Sequence, residues 1–365
     1  MKRKVCCFTE SFELGGIESL ITSILSRLDT EEFEVDVVSA KFSENKYSKT
    51  LRALGVNFIE LSGKLRSPEN FSLFKRLLKE KKYDVAHFNI FHGLALKYVK
   101  IAKNEGIDVR IVHAHGAGLR KSKLRFLKLF LHRFCSSIYK NAPTHRIACS
   151  ENAAKFLYGD IPAQIIKNGI RTEEFKFSDE ARHNMRKSLG FFDEILITHI
   201  GRMSDEKNHT FVLDTFKLYH NINRNSYLAL AGDGPLREEY ESYAKKLNIY
   251  ERVKFLGNIN NAPDLLSASD VFIFPSIVEG LGIAAVEAQA SGLFTICSEA
   301  LPREAKITDR FISLPITDAS IWAEKISNLP SADKRESYAE VVKNSGFDIS
   351  DTANEVSKLY RGNEL

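Results

Sequence analysis

The chain has 365 residues, 44% hydrophobic and 27% charged, with a formal net charge of +5 at pH 7. That length exceeds one ordinary core and calls for two domains, and the composition is that of a soluble globular protein, which excludes fibrous and disordered classes. No apolar run approaches the roughly 18–20 residues that span a bilayer, and the basic opening precedes an apolar stretch too short for a signal peptide. The charge is uneven: residues 1–170 hold 29 Lys+Arg against 17 Asp+Glu, a net of +12, and residues 171–365 carry −7. A basic half predicts an anionic surface or partner on that side. Cys6, Cys7, Cys135, Cys149 and Cys297 are odd in number and lack metal-ligand spacing, so they are expected to be reduced core thiols of a cytoplasmic protein.

In chain order, Val5–Phe8 reads as a first buried strand. It is followed by FELGGIES, where Gly15 and Gly16 stand before a helix over Ile17–Leu28. Small residues there let backbone approach a ligand, or simply make a tight turn. The dinucleotide fingerprint GxGxxG is absent, which argues against a dehydrogenase. Strands over Val35–Ser39, Val85–Phe88, Val109–Val112 and Arg146–Cys149 alternate with amphipathic segments such as Leu73–Lys81. The run DVRIVHAHGAG places His113 and His115 at a strand end, as packed histidines or as cleft donors; no partner cluster supports a metal there. Leu119–Arg146 then holds eight Lys/Arg and no acid. Its spacing brings Leu124, Leu127, Phe130, Leu131 and Phe134 together on one helix face. Two readings stay open. The face packs on the core, or the segment lies on an anionic membrane with Arg120, Lys121, Lys123, Arg125 and Lys128 in contact. Nucleic acid is not expected, because no binding motif or aromatic platform accompanies the charge.

Asn168-Gly169 is a turn signal, and the charged stretch Arg171–Leu189 reads as a linker plus a helix. Strands follow over Ile195–Ile200, Tyr227–Ala231, Val253–Leu256, Val271–Phe274 and Phe294–Cys297, with helices over Thr210–Leu218 and Leu236–Leu247. Two sets of strand–helix alternation predict two doubly wound parallel sheets, and ligands bind such sheets beyond the carboxyl ends of their strands. Each polar motif falls there. HIGRMSDEKNH offers Arg202 as a forked donor and Lys207 as a compact charge, a pair suited to a diphosphate. AGDGPL carries Gly232 and Gly234 in a turn that could admit a base or ribose, or serve chain reversal alone. Gly257 opens a short polar loop that could reach a nucleobase through its backbone, and Asp264 is expected to cap the next helix. The most informative stretch is VFIFPSIVEGLGIAAVEAQASG, Val271–Gly292. It places Glu279 in a loop, Gly280, Leu281 and Gly282 at a helix start, and Glu287 within that helix. Free helix-start amides suit an anion or polyol, and carboxylates accept from hydroxyls.

GGIE, VHAHG, GRMSDEKNH, AGDGPL and EGLGIAAVE, in this order, resemble the retaining nucleotide-sugar glycosyltransferases of the GT4 type, across nearly the whole chain and closest to bacterial capsule and exopolysaccharide transferases. The resemblance implies an α/β GT-B fold, with two Rossmann-like domains facing a central cleft. Residues 1–170 would bind the acceptor, 171–345 the nucleotide sugar, and a C-terminal helix within about 346–365 would cross back. It implies that Arg202 and Lys207 hold the donor diphosphate, that Glu287 meets the ribose, and that Glu279 faces the sugar with Gly280, Leu281 and Gly282 beside it. Gly15 and Gly16 would approach the diphosphate, Gly232 and Gly257 would line the donor site, and either His113 or His115 would stand near the transferred sugar. No metal and no cofactor beyond the nucleotide sugar is implied, and no convincing Asp-x-Asp signature occurs. The implied acceptor is a polyprenyl-diphosphate-linked glycan at the inner face of the cell membrane. A GT-B-fold nucleotide-sugar epimerase, or a non-catalytic partner in a polysaccharide assembly complex, would share the fold.

Overall fold

The computed structural model describes residues 2–362 apart from 14, 63, 120–124 and 332. The chain divides into two compact units, Met1–Gly169 with Ile349–Leu365, and Ile170–Asp348. The division falls one residue before the expected one. The returning helix begins at Ile349, so residues 346–348 stay with the second unit.

Seven parallel strands form the first sheet: β1 Arg3–Thr9, β2 Phe33–Ser39, β3 Asn57–Glu60, β4 Val85–Ile90, β5 Val109–Ala114, β6 His145–Ala148 and β7 Gln164–Ile165. Their spatial order is β3-β2-β1-β4-β5-β6-β7, so the order reverses between β1 and β4. The register sets Val5 opposite both Val35 and Val85. Alternation then sends Cys7, Val37, Ile111 and Ile147 to one face, where they pack with Ile349, Val356, Leu359 and Tyr360 of the C-terminal helix. Phe8 and Phe88 meet Phe74 and Tyr98 in an edge-packed aromatic cluster, with centroids 4.6–6.2 Å apart. Each such ring, fully buried, contributes roughly 1.5–3 kcal/mol. All five cysteines are free, but Cys135 is only half-buried, which corrects the expectation that every thiol lies in the core.

The second sheet contains β8 Ile195–Ile200, β9 Ser226–Ala231, β10 Val253–Gly257, β11 Val271–Phe274, β12 Phe294–Ser298 and β13 Phe311–Leu314, in the order β10-β9-β8-β11-β12-β13. Here the reversal lies between β8 and β11. The helices His209–Ile222 and Arg237–Lys246, together with Trp322, cover the face that carries Ile197, Leu228, Leu230 and Ile273. The expected linker is part of this unit. Ser178 caps the helix Asp179–Leu189, and Arg182 and Arg186 of that helix bind Asp270 at 2.7 and 3.3 Å.

Candidate functional site

The second unit gathers four sequence motifs at its strand ends. Gly201 and Gly232 follow β8 and β9, Gly257 ends β10, and their backbones are stitched together. Gly201 N–H donates to Ala231 O at 2.9 Å, Gly232 N–H to Gly257 O at 2.7 Å, and Met203 N–H to Asp233 O at 3.0 Å. The approach is too close for side chains. Gly232 has φ +123°, and a Cβ there would lie 2.1 Å from Gly201 O; a Cβ on Gly234 would lie 2.4 Å from Met203 O. Glycine is therefore required at both positions. The next turn corrects one expectation: Asn261, not Asp264, caps the helix Ala262–Ala268, its side chain accepting from Asp264 N–H at 3.4 Å.

Lys207 follows β8 and Glu279 follows β11, on either side of the point where strand order reverses. In doubly wound sheets this is where ligands bind. The two side chains form a partly buried ion pair. The Lys207 ammonium also lies 4.7 Å from the centre of the Phe274 ring. Backbone holds the two loops in register, because Ile277 N–H donates to Glu206 O at 2.8 Å and Asn208 donates to Pro275 O at 3.2 Å. Glu279 also helps to push the Cys297 thiol well above its ordinary range, after burial as the larger cause. Arg202 is exposed and has no ion-pair partner among the described residues. Gly282, at φ +84°, opens the helix Ile283–Ala290 without a side-chain cap. Leu281 is buried and Glu287 is half-buried within that helix.

Two histidines that the motif reading quoted without a role lie under this loop. His199 is fully buried, and its Nδ1–H donates to Ile273 O at 2.9 Å, which leaves Nε2 as a lone pair without a partner among the described residues. His209 meets it edge-on at 4.6 Å and stacks on Tyr240 at 4.9 Å, with neither ring nitrogen bonded. Burial lowers His199 to about 4 and His209 to about 2, and the Lys207 charge adds to both. Both rings are therefore neutral near pH 7. Phe274 gave a strand signal only; its place beneath Lys207 follows from β11 lying next to β8.

In the first unit Gly15 and Gly16 are exposed, and Gly15 is the extended residue before the helix Gly16–Leu25. Across the β1–β4 reversal, Glu10 accepts from Phe91 N–H at 3.2 Å and lies 3.7 Å from His92. The structure separates the two candidate histidines. His113 is within β5, wholly buried, between His87 at 5.6 Å and His115 at 4.0 Å. His115 stands just past the strand end, and its Nε2 bonds Asn89 Oδ1 at 3.0 Å. Burial lowers His115 and His87 to about 3, and lowers His113 well below the usual imidazole range. His113 is therefore a core residue, and His115 is the one placed at the strand mouth.

Among the membrane-contact residues, Arg120, Lys121 and Lys123 lie outside the described residues, while Arg125 and Lys128 are exposed on the helix Arg125–Ile138. The core-packing reading of that helix fails for most of its expected face: Leu127, Phe130 and Phe134 are exposed, Leu131 is half-buried, and Leu124 lies outside the described residues. Among the described residues no group of three His, Cys, Asp or Glu could hold a metal ion, and no helix is long and apolar enough to cross a membrane.

Residues 14–174 match Glycosyltransferase Family 4, and residues 181–345 match Glycosyl transferases group 1. The chain is 27% identical to the putative glycosyltransferase EpsF of Bacillus subtilis, over 98% of this chain and 96% of that protein. It is 26% identical to the UDP-Gal:alpha-D-GlcNAc-diphosphoundecaprenol alpha-1,3-galactosyltransferase of Escherichia coli, over 95% and 94%. The fold is that of Anabaena Alr3699/HepE, crystallised with UDP and glucose, at a TM-score of 0.80 and 17% identity over 99% of this chain and 100% of that one. Two doubly wound units, each with its own matching domain, make this chain a glycosyltransferase of the GT4 type with the GT-B fold.

Proposed function

We propose that the protein transfers a sugar, with retention of anomeric configuration, from a nucleoside-diphosphate donor to a hydroxyl of a polyprenyl-diphosphate-linked glycan in surface-polysaccharide synthesis. The observation that carries this reading is the Lys207–Glu279 pair at the strand-order reversal, beside glycine-stitched loops and the exposed Arg202. In the ligand-free protein the carboxylate neutralises the ammonium. A donor offers each a new partner: the diphosphate takes Lys207 and Arg202, and the sugar hydroxyls take Glu279. The exchange leaves neither charge unpaired in a partly buried site, where an orphaned ion is costly. Glu287 is assigned to the ribose, and the backbone of Gly280, Leu281 and Gly282 to the sugar or phosphate. Gly232 and Gly257 are assigned to the wall of the nucleoside site. As the glycosidic bond breaks, charge grows on the leaving diphosphate, where Lys207 and Arg202 stabilise it. On this reading the nucleotide sugar is a co-substrate and no metal or further cofactor takes part. From the resemblance, Gly15 and Gly16 are assigned to the diphosphate, and His115, rather than the core residue His113, to the transferred sugar. The acceptor's lipid places the reaction at the anionic inner face of a membrane.

The acceptor assignment is supported by the name of the Escherichia coli relative, a transferase acting on a diphosphoundecaprenol-linked sugar. Thermal shift with UDP and a panel of UDP-sugars tests the donor. A ligand at 100 times its Kd stabilises by about 2.7 kcal/mol. A donor that stabilises the wild type and fails on Lys207→Ala supports the assignment, and a protein that no nucleoside diphosphate stabilises overturns it. Donor incubated without acceptor should stay unchanged, whereas an epimerase would interconvert it.

A further inference from the structure

The helix Arg125–Ile138 is built inside out. The face it turns to its own unit centres on polar and small side chains, with Leu129 and Leu131 half-buried at its margins. His132, 2% exposed, accepts from Gly93 N–H through Nδ1 at 2.8 Å and donates through Nε2 to Phe156 O at 2.8 Å. Its ring stacks on Phe156 at 4.2 Å. Gly93 comes so close that a Cβ there would lie 2.4 Å from Ser136 Oγ and 2.6 Å from His132 O. The helix is thus pinned, in one tautomer of one histidine and at one glycine contact. Its other large apolar side chains point away. Phe126 is 85% exposed and Phe130 59%, and Leu127, Phe134 and Ile138 are half exposed or more. Phe130 and Phe134 stack on each other at 6.2 Å rather than on the core. The spacing i, i+4, i+8 of the three phenylalanines makes this one continuous strip. A contiguous exposed apolar strip of this kind marks an interaction site.

We propose that this strip docks the protein on an anionic lipid bilayer, with Phe126, Phe130 and Phe134 entering the interface and basic residues meeting the headgroups. The inference rests on the membrane-surface reading above, but not on the identity of donor or acceptor. Charge selects this occupant. Residues 119–146 contain eight Lys/Arg and no acid, and Arg125, Lys128 and Arg133 are exposed on the helix itself. A second copy docking the same strip would bring two cationic flanks together without counter-charge. A bilayer carrying anionic lipid supplies both the apolar interior and the opposite sign, and surface binding scales with both. The two contributions act differently: the cationic flank gives a preference for anionic lipid that salt screens, while the aromatic strip gives binding that salt does not remove.

Flotation with phosphatidylcholine vesicles, with and without phosphatidylglycerol, tests this at low and high salt. The triple variant Phe126→Ser, Phe130→Ser, Phe134→Ser alters only exposed side chains, and circular dichroism checks that it folds. Wild type is expected to float with the anionic vesicles and to keep part of that binding in high salt. The serine variant is expected to bind about 100-fold more weakly at either salt. The variant Arg125→Gln, Lys128→Gln, Arg133→Gln is expected to lose the anionic preference and keep the salt-resistant part. A folded serine variant that floats like wild type overturns the proposal. So does a wild type that floats with neither vesicle and elutes as a dimer which the serine variant dissolves, since the strip would then join two copies. UDP thermal shift on the same samples keeps the two readings apart: its failure sinks the donor assignment and leaves the flotation result standing.

Discussion

Acidification should weaken the second unit through His199 and His209, and the size follows from their surroundings. Burial holds His199 at about 4 and His209 at about 2, while an unfolded histidine titrates near 6.5. Between pH 6.5 and those values the unfolded chain binds protons that the folded unit refuses, so stability rises with pH and is lost as pH falls. Each group loses about 1.4 kcal/mol per pH unit, hence about 2 kcal/mol between pH 6.5 and 5, and about 4 kcal/mol for the pair. Below about pH 4 the share from His199 stops growing. His220, at the far end of the same helix and also lowered, adds in the same direction. This window lies above the ordinary carboxylate range, so acids contribute little to it. The assay is urea unfolding followed by fluorescence. The single tryptophan, Trp322, is fully buried in the second unit and donates to Pro315 O at 2.8 Å, so it reports that unit alone. His209→Phe is the control. Neither nitrogen of His209 has a partner among the described residues, and a phenyl ring keeps the stack on Tyr240. That variant should lose about half the pH dependence and be no less stable at pH 7. An unfolding midpoint unchanged between pH 7 and 5, or an unchanged slope in the variant, would refute the reasoning.

Lys207→Ala should reduce kcat by about 10²–10³-fold, the usual loss when one group stabilising a developing charge is removed, while circular dichroism stays that of the wild type. Near-wild-type turnover would remove Lys207 from the diphosphate. Gly232→Ala forces φ +123° on a residue with a Cβ 2.1 Å from Gly201 O. It should cost at least about 2 kcal/mol in the Trp322-monitored transition and abolish the UDP thermal shift; a normal midpoint would show that the loops have slack. Arg335→Leu should destabilise the second unit by about 3–5 kcal/mol. Its buried guanidinium donates to the carbonyls of Ser291, Ser269 and Leu266 at 2.8–2.9 Å, and leucine would leave them unmet. A loss below 1 kcal/mol, roughly one ordinary hydrogen bond, would show that water replaces it.

The buried strands were legible because they are continuous apolar runs, and the ten that the pattern marks lie within β1, β2, β4–β6 and β8–β12 or overlap their ends. β3, β7 and β13 were not, for a common reason. They are edge strands of four, two and four residues, and only one of their ten side chains is buried, so no apolar run announces them. The site shows the same divide. Lys207 and Glu279 were legible as residue types, but their pairing depends on β8 and β11 being neighbours, which strand order decides and local pattern does not. His113 and His115 both follow the alternation of β5; only the end of the strand at Ala114 separates a core ring from one at the mouth. The helix Arg125–Ile138 is the sharpest case. Periodicity correctly put Leu127, Phe130 and Phe134 on one face, but it could not say which face meets the protein. His132, a single polar residue opposite, decided that.

The first unit is made from two segments that the second unit separates, and this orders events during synthesis. Its core lacks Ile349, Val356, Leu359 and Tyr360 until the helix Ile349–Tyr360 leaves the ribosome, and His87 waits for the Tyr360 hydroxyl, its partner at 2.8 Å. The second unit is contiguous from Ile170 to Asp348, and nothing that follows is needed to close its sheet. The later-made half can therefore finish folding first, while the earlier-made half stays open along one flank of its sheet. A nascent chain stalled, or cut by a premature stop, within the last dozen codons of that helix would carry a finished second unit joined to an unsealed first one. Quality control would meet such a chain as a half-folded protein, with an apolar seam along β5 and the helix Gly16–Leu25 exposed to chaperones and proteases.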